Sequence, residues 1–312
     1  MASIRTWLIA MRLPSVLLTL SSSLMGTSLA IWEGKWNAWV SILAAFTAIM
    51  LQIIANLAND YGDFLRGANV EEYIHPNGIE QPGFVSLRQL RTAIVWLVLF
   101  TVGTGLALLQ VAGLSGPSFI LLALLGVIAI IAAITYTIGR KPYGYAGWGD
   151  VSVLFFFGLL GVLGTVYLHT QQWRWAHVLP ALSYGCLAVA VLNLNNIRDI
   201  KLDAQVGKKT LVVRMGRRAA LYYHWALLTL GIIMAAIFTM IHYNSPWQWL
   251  FVAAIPSLVR NGIMTMRLAP TQLGAELQRL VLMQLLFVLF FSIGLVLSST
   301  KHCNDYSSKF YY

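Results

Sequence analysis

Two short stretches of this chain gather side chains able to hold a charged ligand. The first is Asn56-Leu57-Ala58-Asn59-Asp60-Tyr61-Gly62-Asp63, and the second is Asn195-Asn196-Ile197-Arg198-Asp199-Ile200-Lys201-Leu202-Asp203. If both are helical, Asn56, Asn59 or Asp60, and Asp63 fall at i, i+3 or i+4, and i+7, which is one face. Asn195, Asp199 and Asp203 fall at i, i+4 and i+8, again one face. Carboxylate and amide oxygens without thiols or paired imidazoles suit a hard cation. Mg²⁺ binds through one or two carboxylates and completes its shell with water and phosphate oxygens. Two such stripes would clamp a diphosphate between them and neutralise it as it leaves. The expected metal ligands are Asn56, Asp60, Asp63, Asn195, Asp199 and Asp203, with the four aspartates as the catalytic set. One cluster alone would more often be a solvated loop, but two alike carry more weight. Acids inside a membrane could also form an ion relay in a transporter; against this, these carboxylates stand at helix ends and not at a midplane.

The basic residues beside the second cluster, Arg198, Lys201, Lys208 and Lys209, read first as membrane-surface anchors. One or two of them can also hold diphosphate oxygens. Gly207-Lys208-Lys209-Thr210 is not a phosphate loop: Leu202 stands where the first glycine belongs, and Lys209 displaces the Ser/Thr. A third segment, from Tyr136 through Gly139-Arg140-Lys141-Pro142-Tyr143-Gly144-Tyr145 to Gly149-Asp150, is a shaped turn by its Gly and Pro content. Its tyrosines, Tyr136, Tyr143 and Tyr145, are candidates to line an aromatic acceptor pocket.

The elements that position these residues follow from composition. The chain has 312 residues, 58% hydrophobic and 10% charged, with mean hydropathy +0.72. Soluble domains carry roughly 25% charged residues, so this chain belongs in a bilayer. Runs of about 20 apolar residues span the hydrocarbon core as helix. They occur at 13–32, 36–58, 92–114, 117–138, 151–169, 175–197, 219–241, 246–263 and 280–298. The expected architecture is an all-α integral membrane protein. About nine helices form one domain over 1–312, bundled around a central cavity open to the cytoplasmic side.

The net charge of +10 does not point to nucleic acid, because its placement is topological. Seventeen Lys and Arg flank one set of helix ends: Arg5, Arg12, Arg66, Arg88, Arg91, Arg140, Lys141, Arg198, Lys201, Lys208, Lys209, Arg214, Arg217, Arg218, Arg260, Arg267 and Arg279. The other set has only Lys35, Arg174, Lys301 and Lys309. By the positive-inside rule the N-terminus is cytoplasmic and the C-terminus outside. Both Asn/Asp clusters then face the cytoplasm. The N-terminal run resembles a signal peptide but is span-length, so it reads as the first helix. Cys186 and Cys303 form no metal or redox spacing.

These strings resemble the membrane prenyltransferases of quinone biosynthesis, and within them the branch that takes a dihydroxynaphthoate acceptor. The likeness runs from Arg12-Leu13-Pro14-Ser15 through the first cluster, the Lys141–Tyr145 turn and the second cluster to Gly207-Lys208-Lys209-Thr210 and Gly216. It implies a Mg²⁺-dependent enzyme of a bacterial inner membrane. Asp60, Asp63, Asp199 and Asp203, with Asn56 and Asn195, would position Mg²⁺ and a polyprenyl diphosphate. An allylic carbocation then meets 1,4-dihydroxy-2-naphthoate, whose attacked carbon loses its carboxylate, giving a demethylmenaquinone precursor. Acceptors such as 4-hydroxybenzoate or homogentisate are the nearest alternatives, and the Asn-Asp-Tyr-Gly-Asp form disfavours both. The family's usual arginines after the first cluster are replaced here by Tyr73 and Gly78, while Pro76, Gln81 and Gly83 persist. Diphosphate contacts are therefore expected from Arg66, Arg140, Lys141, Arg198, Lys201 and Lys209, with Arg88 as a further candidate.

Overall fold

A computed structural model of the chain describes residues 3–66 and 85–308; the 71–83 segment, with Tyr73 and Gly78, lies outside them. Among the described residues nine helices are long and apolar enough to cross a membrane. They are α1 Pro14–Trp32, α2 Ala38–Leu65, α3 Leu87–Val111, α4 Gly116–Thr135, α5 Gly149–Thr170, α6 Trp175–Arg198, α7 Leu211–Ile241, α8 Pro246–Arg267 and α9 Gly274–Ser299. No strand occurs among the described residues. This is the all-helical membrane architecture that the apolar runs imply.

Helix ends depart from the apolar runs where polar capping overrides hydropathy. The second helix continues to Leu65, well past the apolar run ending at 58, so the entire first cluster is helical. At its start the Asn37 side chain accepts from the Trp39 and Val40 amides, satisfying two of the orphan donors of a helix N-terminus. The seventh begins at Leu211 and not at 219, because the Thr210 hydroxyl caps the Val213 amide and fixes a first turn carrying Arg214. Gly216, at φ 77° and ψ 161°, interrupts that helix before the apolar run. A short helix at Ile4–Ala10 precedes α1 and is separated from it by Arg12 in a left-handed conformation, φ 48°. Its seven residues are too short to register as an apolar run.

The bundle is not evenly buried. More than half of the apolar window is covered in α1 and in α6, whereas α4 buries only Ala129. Helix α6 packs on α5 and α7, and α1 on α2, α5 and α9. Close approach comes from small residues, as in membrane helix pairs generally. A Cβ on Gly158 of α5 would lie 2.7 Å from the Gly185 Cα of α6. Residues Leu154–Leu163 of α5 are wound as a π-helix, and the Ser22 hydroxyl of α1 donates to the Phe157 carbonyl there at 2.6 Å. The main apolar core, with Leu187, Leu194, Phe238, Phe251, Phe287 and Phe291, surrounds α6. The second cluster thus hangs from the most firmly packed helix of the fold.

Candidate active site

The two clusters emerge from the same end of the bundle, at the C-terminal ends of α2 and α6. In the first, the helix is unbroken. Asp60 accepts from Arg12 Nη2 at 2.5 Å, and Asn59, with its amide oriented to suit its donors, accepts from Arg12 Nη1 at 3.0 Å. Asn56 is 6% exposed, and its partners are already set: its Nδ2 donates to the Met11 carbonyl at 2.7 Å and to Ser15 Oγ at 2.8 Å. Its Oδ1 accepts from Gln52 at 3.0 Å. These bonds tie the segment before α1 to α2, and so place Arg12 over Asp60.

The second cluster spans a break. Helix α6 ends at Arg198, Asp199 takes φ −95° and ψ 9°, and a short helix restarts over Ile200–Gln205. The i, i+4, i+8 stack survives the break, because the Asp199 amide bonds the Asn195 carbonyl at 3.0 Å and the Asp203 amide bonds the Asp199 carbonyl at 2.9 Å. Arg198 folds back on its neighbour. Its Nε and Nη2 donate to the two Asp199 oxygens at 2.6 Å each, and Nη2 also donates to Asn195 Oδ1 at 2.9 Å.

The turn between α4 and α5 joins the clusters. Tyr145 donates its hydroxyl to Asp63 Oδ1 at 2.6 Å, and its ring lies under Arg66 at 4.7 Å and Lys208 at 5.5 Å. Lys208 Nζ stands 3.5 Å from Asp203 Oδ1. From Asp63 a continuous line of contacts therefore runs through Tyr145 and Lys208 to Asp203. Two glycines permit it. A Cβ on Gly62 would meet the Thr137 backbone at 2.8 Å, and one on Gly147, at φ 85°, would meet the Lys209 carbonyl at 2.6 Å. The turn is clamped between α2 on one side and the start of α7 on the other. Gly207, in the left-handed region, folds the chain so that the Lys208 amide bonds the Asp203 carbonyl at 2.8 Å, a helix C-terminal turn that swings Lys208 over Asp203.

Electrostatics follow burial. Asp203 is 3% exposed, and its carboxyl is pushed up to about 6, first by burial and then by Asp199 and Asp63, with Lys208 opposing. The Tyr145 phenol is also raised, by burial first and then by its bond to Asp63. Tyr136 is raised by burial, and then by Tyr143, Asp150, Asp203 and Asp63 around it. Among the described residues Asp203 Oδ2 is buried with no hydrogen-bond partner, which leaves one strong acceptor there without a donor.

The other sequence candidates divide. Arg66 donates to the Gly139 carbonyl at 2.5 Å and borders the site through Tyr145. Lys209 is exposed and meets the turn by its backbone, bonding the Tyr145 carbonyl at 2.9 Å. Arg140, Lys141 and Lys201 are exposed. Tyr136 and Tyr143 pack edge to face at 5.2 Å, and the Tyr143 hydroxyl donates to the Ala132 carbonyl at 2.9 Å, a fixed structural role. Two residues, Arg12 and Asp150, go beyond the sequence-derived set. Arg12 lies 48 positions before its partner Asp60, a separation no spacing rule reveals. Of the four basic residues read beside the second cluster, Lys208 is the one that stands next to Asp203, and the glycine preceding it is the available signal. Asp150 is buried, and its Oδ1 has no hydrogen-bond partner among the described residues.

A model of the UbiA prenyltransferase family matches residues 19–288. The chain belongs to that family. It is 42% identical over 295 residues to the 1,4-dihydroxy-2-naphthoate octaprenyltransferase of Escherichia coli, covering 94% of this chain and 96% of that one. The enzyme of the same name from Mycobacterium tuberculosis is 35% identical over 266 residues, covering 83% and 86%. In fold the chain is similar to a UbiA homologue from Archaeoglobus fulgidus bound to GPP and Mg²⁺, with TM-score 0.65, 15% identity and coverage of 93% and 99%. The apo UbiA homologue from Aeropyrum pernix K1 gives TM-score 0.65 at 14% identity, covering 92% and 98%.

The donor set fits a divalent metal in one particular way. Among the described residues no three Asp, Glu, His or Cys side chains gather as a ready-made metal site. The carboxylates come instead from two separate helix ends, and Asp203 Oδ2 has no hydrogen-bond partner among the described residues. Such an arrangement suits Mg²⁺ that takes part of its shell from substrate phosphates.

Proposed function

We propose that this protein transfers a polyprenyl group from an allylic polyprenyl diphosphate to 1,4-dihydroxy-2-naphthoate, using Mg²⁺. Diphosphate and CO₂ are released, and demethylmenaquinol is formed. The observation that carries this reading is the 42% identity to the E. coli octaprenyltransferase over nearly the whole of both chains. The convergence of Asp63 and Asp203 on Tyr145 and Lys208 supports it. Octaprenyl diphosphate is accordingly the first donor to test.

Asp60, Asp63, Asp199 and Asp203 would hold the metal, which when bound supplies positive charge to the diphosphate oxygens. Arg12, Arg198, Lys208 and Arg66 add donors and positive charge where the leaving group's charge grows, the situation in which preorganised cations act most strongly. Tyr145 orients Asp63, and the turn behind it keeps both clusters at one spacing. The allylic C–O bond breaks with its electron pair leaving on the diphosphate. The electron-rich ring carbon bonds to the allylic carbon, and loss of the carboxylate as CO₂ restores the aromatic ring. The isoprenoid tail would lie against the apolar helices of the bundle, within a single domain. The charge asymmetry of 17 against 4 supports a cytoplasmic N-terminus, an external C-terminus and a site facing the cytoplasm of a bacterial inner membrane.

The test is direct. Membranes carrying the protein are incubated with Mg²⁺, dihydroxynaphthoate and labelled octaprenyl diphosphate, with 4-hydroxybenzoate and homogentisate as competing acceptors. Extractable prenylated naphthol, lost on chelation, is expected. Its absence, or label on another acceptor alone, would overturn the proposal.

A further inference from the structure

Each cluster offers its first aspartate to an arginine and keeps its second apart. Arg12 holds Asp60, and its guanidinium also faces the Asn59 amide. Arg198 takes both Asp199 oxygens and Asn195 Oδ1. In the second cluster these are three of the oxygens expected to serve a cation. An oxygen lone pair directed at a guanidinium N–H cannot also coordinate Mg²⁺, so the guanidinium and a cation compete for lone pairs of the same carboxylates. The partners described for Asp63 and Asp203 are instead a phenol hydroxyl and an ammonium at 3.5 Å, neither of them a guanidinium.

The arginines are placed to let go. The Arg12 and Arg198 side chains are 37% and 31% exposed, against 21% and 11% for their aspartates, so each guanidinium is the more solvent-accessible member of its pair. Arg12 is one of two non-glycine residues at positive φ among the described residues. That conformation is strained for a residue with a side chain and persists only where surrounding contacts impose it. Those contacts are the bonds from Asn56 to Met11 and Ser15 and from Ser15 to the Arg12 carbonyl. The strain is held at the residue that pairs with Asp60.

We propose that Arg12 and Arg198 are exchange residues. They guard Asp60 and Asp199 until a divalent cation takes those oxygens, and the released guanidiniums then turn to the diphosphate. The inference rests on the metal-diphosphate reading of the clusters given above. Metal and diphosphate binding are coupled as a result: the cation frees the arginines, and the diphosphate keeps them away from the carboxylates. Bidentate guanidinium contacts suit phosphate oxygens as well as carboxylates.

The experiment measures Mn²⁺ binding by electron paramagnetic resonance on the full-length protein in detergent, with and without farnesyl thiodiphosphate, an analogue slow to ionise. Arg12→Gln and Arg198→Gln are compared with wild type, with melting temperature followed alongside. Without the analogue, each variant should bind Mn²⁺ about fivefold more tightly, the upper end for a part-exposed ion pair. The tightening produced by the analogue should be several-fold smaller than in wild type. Arg198→Lys keeps the charge but cannot span both oxygens, so it should fall between the two and covers the case of a poorly folding glutamine variant. Unchanged or weaker Mn²⁺ binding in folded variants overturns the exchange. No Mn²⁺ binding by wild type would instead overturn the metal reading of the clusters, so the two failures are distinguishable.

Discussion

The two Asn/Asp clusters reach the same arrangement by different routes. In the first, Asp60 and Asp63 ride an unbroken helix, and the pairing arginine arrives from a separate segment ahead of α1. In the second, the helix breaks at Asp199, and the pairing arginine is its own neighbour, Arg198. Each nevertheless ends with one arginine-paired aspartate and one buried aspartate facing the α4–α5 turn. The arginine–aspartate pairing is thus repeated while the backbone that carries it is not. A repeated helix geometry is unnecessary because the turn, through Tyr145, sets the relation between the clusters.

The comparison can be broken most severely at the buried carboxylates. Asp63→Asn and Asp203→Asn should each lower kcat/KM for prenyl transfer by roughly 100-fold or more, the scale of removing one preorganised charge contact from a transition state. Near-normal activity in either would show that the clusters are not equivalent partners. The bridge is the next largest target. Tyr145→Phe removes one hydrogen bond to a carboxylate, for which about 1.5–3 kcal/mol is typical. It should cost about tenfold in kcat/KM and raise the Mg²⁺ concentration needed for half-maximal rate. The clamp glycines come last. Gly62→Ala presses on the Thr137 backbone and Gly147→Ala on the Lys209 carbonyl, so each should lose about 1–3 kcal/mol of stability in detergent melting. Gly62→Ala loosens the turn from the first cluster and Gly147→Ala from the second, so unequal activity losses would show which contact matters more.

How far these features could be read from the sequence depended on their separation along the chain. The nine spans and the one-sided stripes follow from hydropathy and helical period, which are local properties. The continuation of α2 to Leu65 was legible only through the i, i+4, i+7 spacing of its polar residues, because hydropathy falls away after residue 58. Arg12 over Asp60 and Tyr145 on Asp63 join residues 48 and 82 apart, and no pattern within a window of one helix contains them. The choice of Lys208 over Lys209 turned on a single left-handed glycine at 207. The assignment of Asn56 as a ligand meets a polar network in which its amide already bonds Met11, Ser15 and Gln52; these contacts brace Arg12, a role that composition could not express.

Whether the two clusters act as one site is decided by a double-mutant cycle on its buried ends. The kcat/KM of Asp63→Asn, Asp203→Asn and the double variant would be measured in the same Mg²⁺-dependent transfer assay. Residues that act as a unit are strongly non-additive, so the double variant should be little worse than the more damaged single one. If the two losses simply multiply, Asp63 and Asp203 work independently, and the account of a single site joined through Tyr145 and Lys208 is wrong.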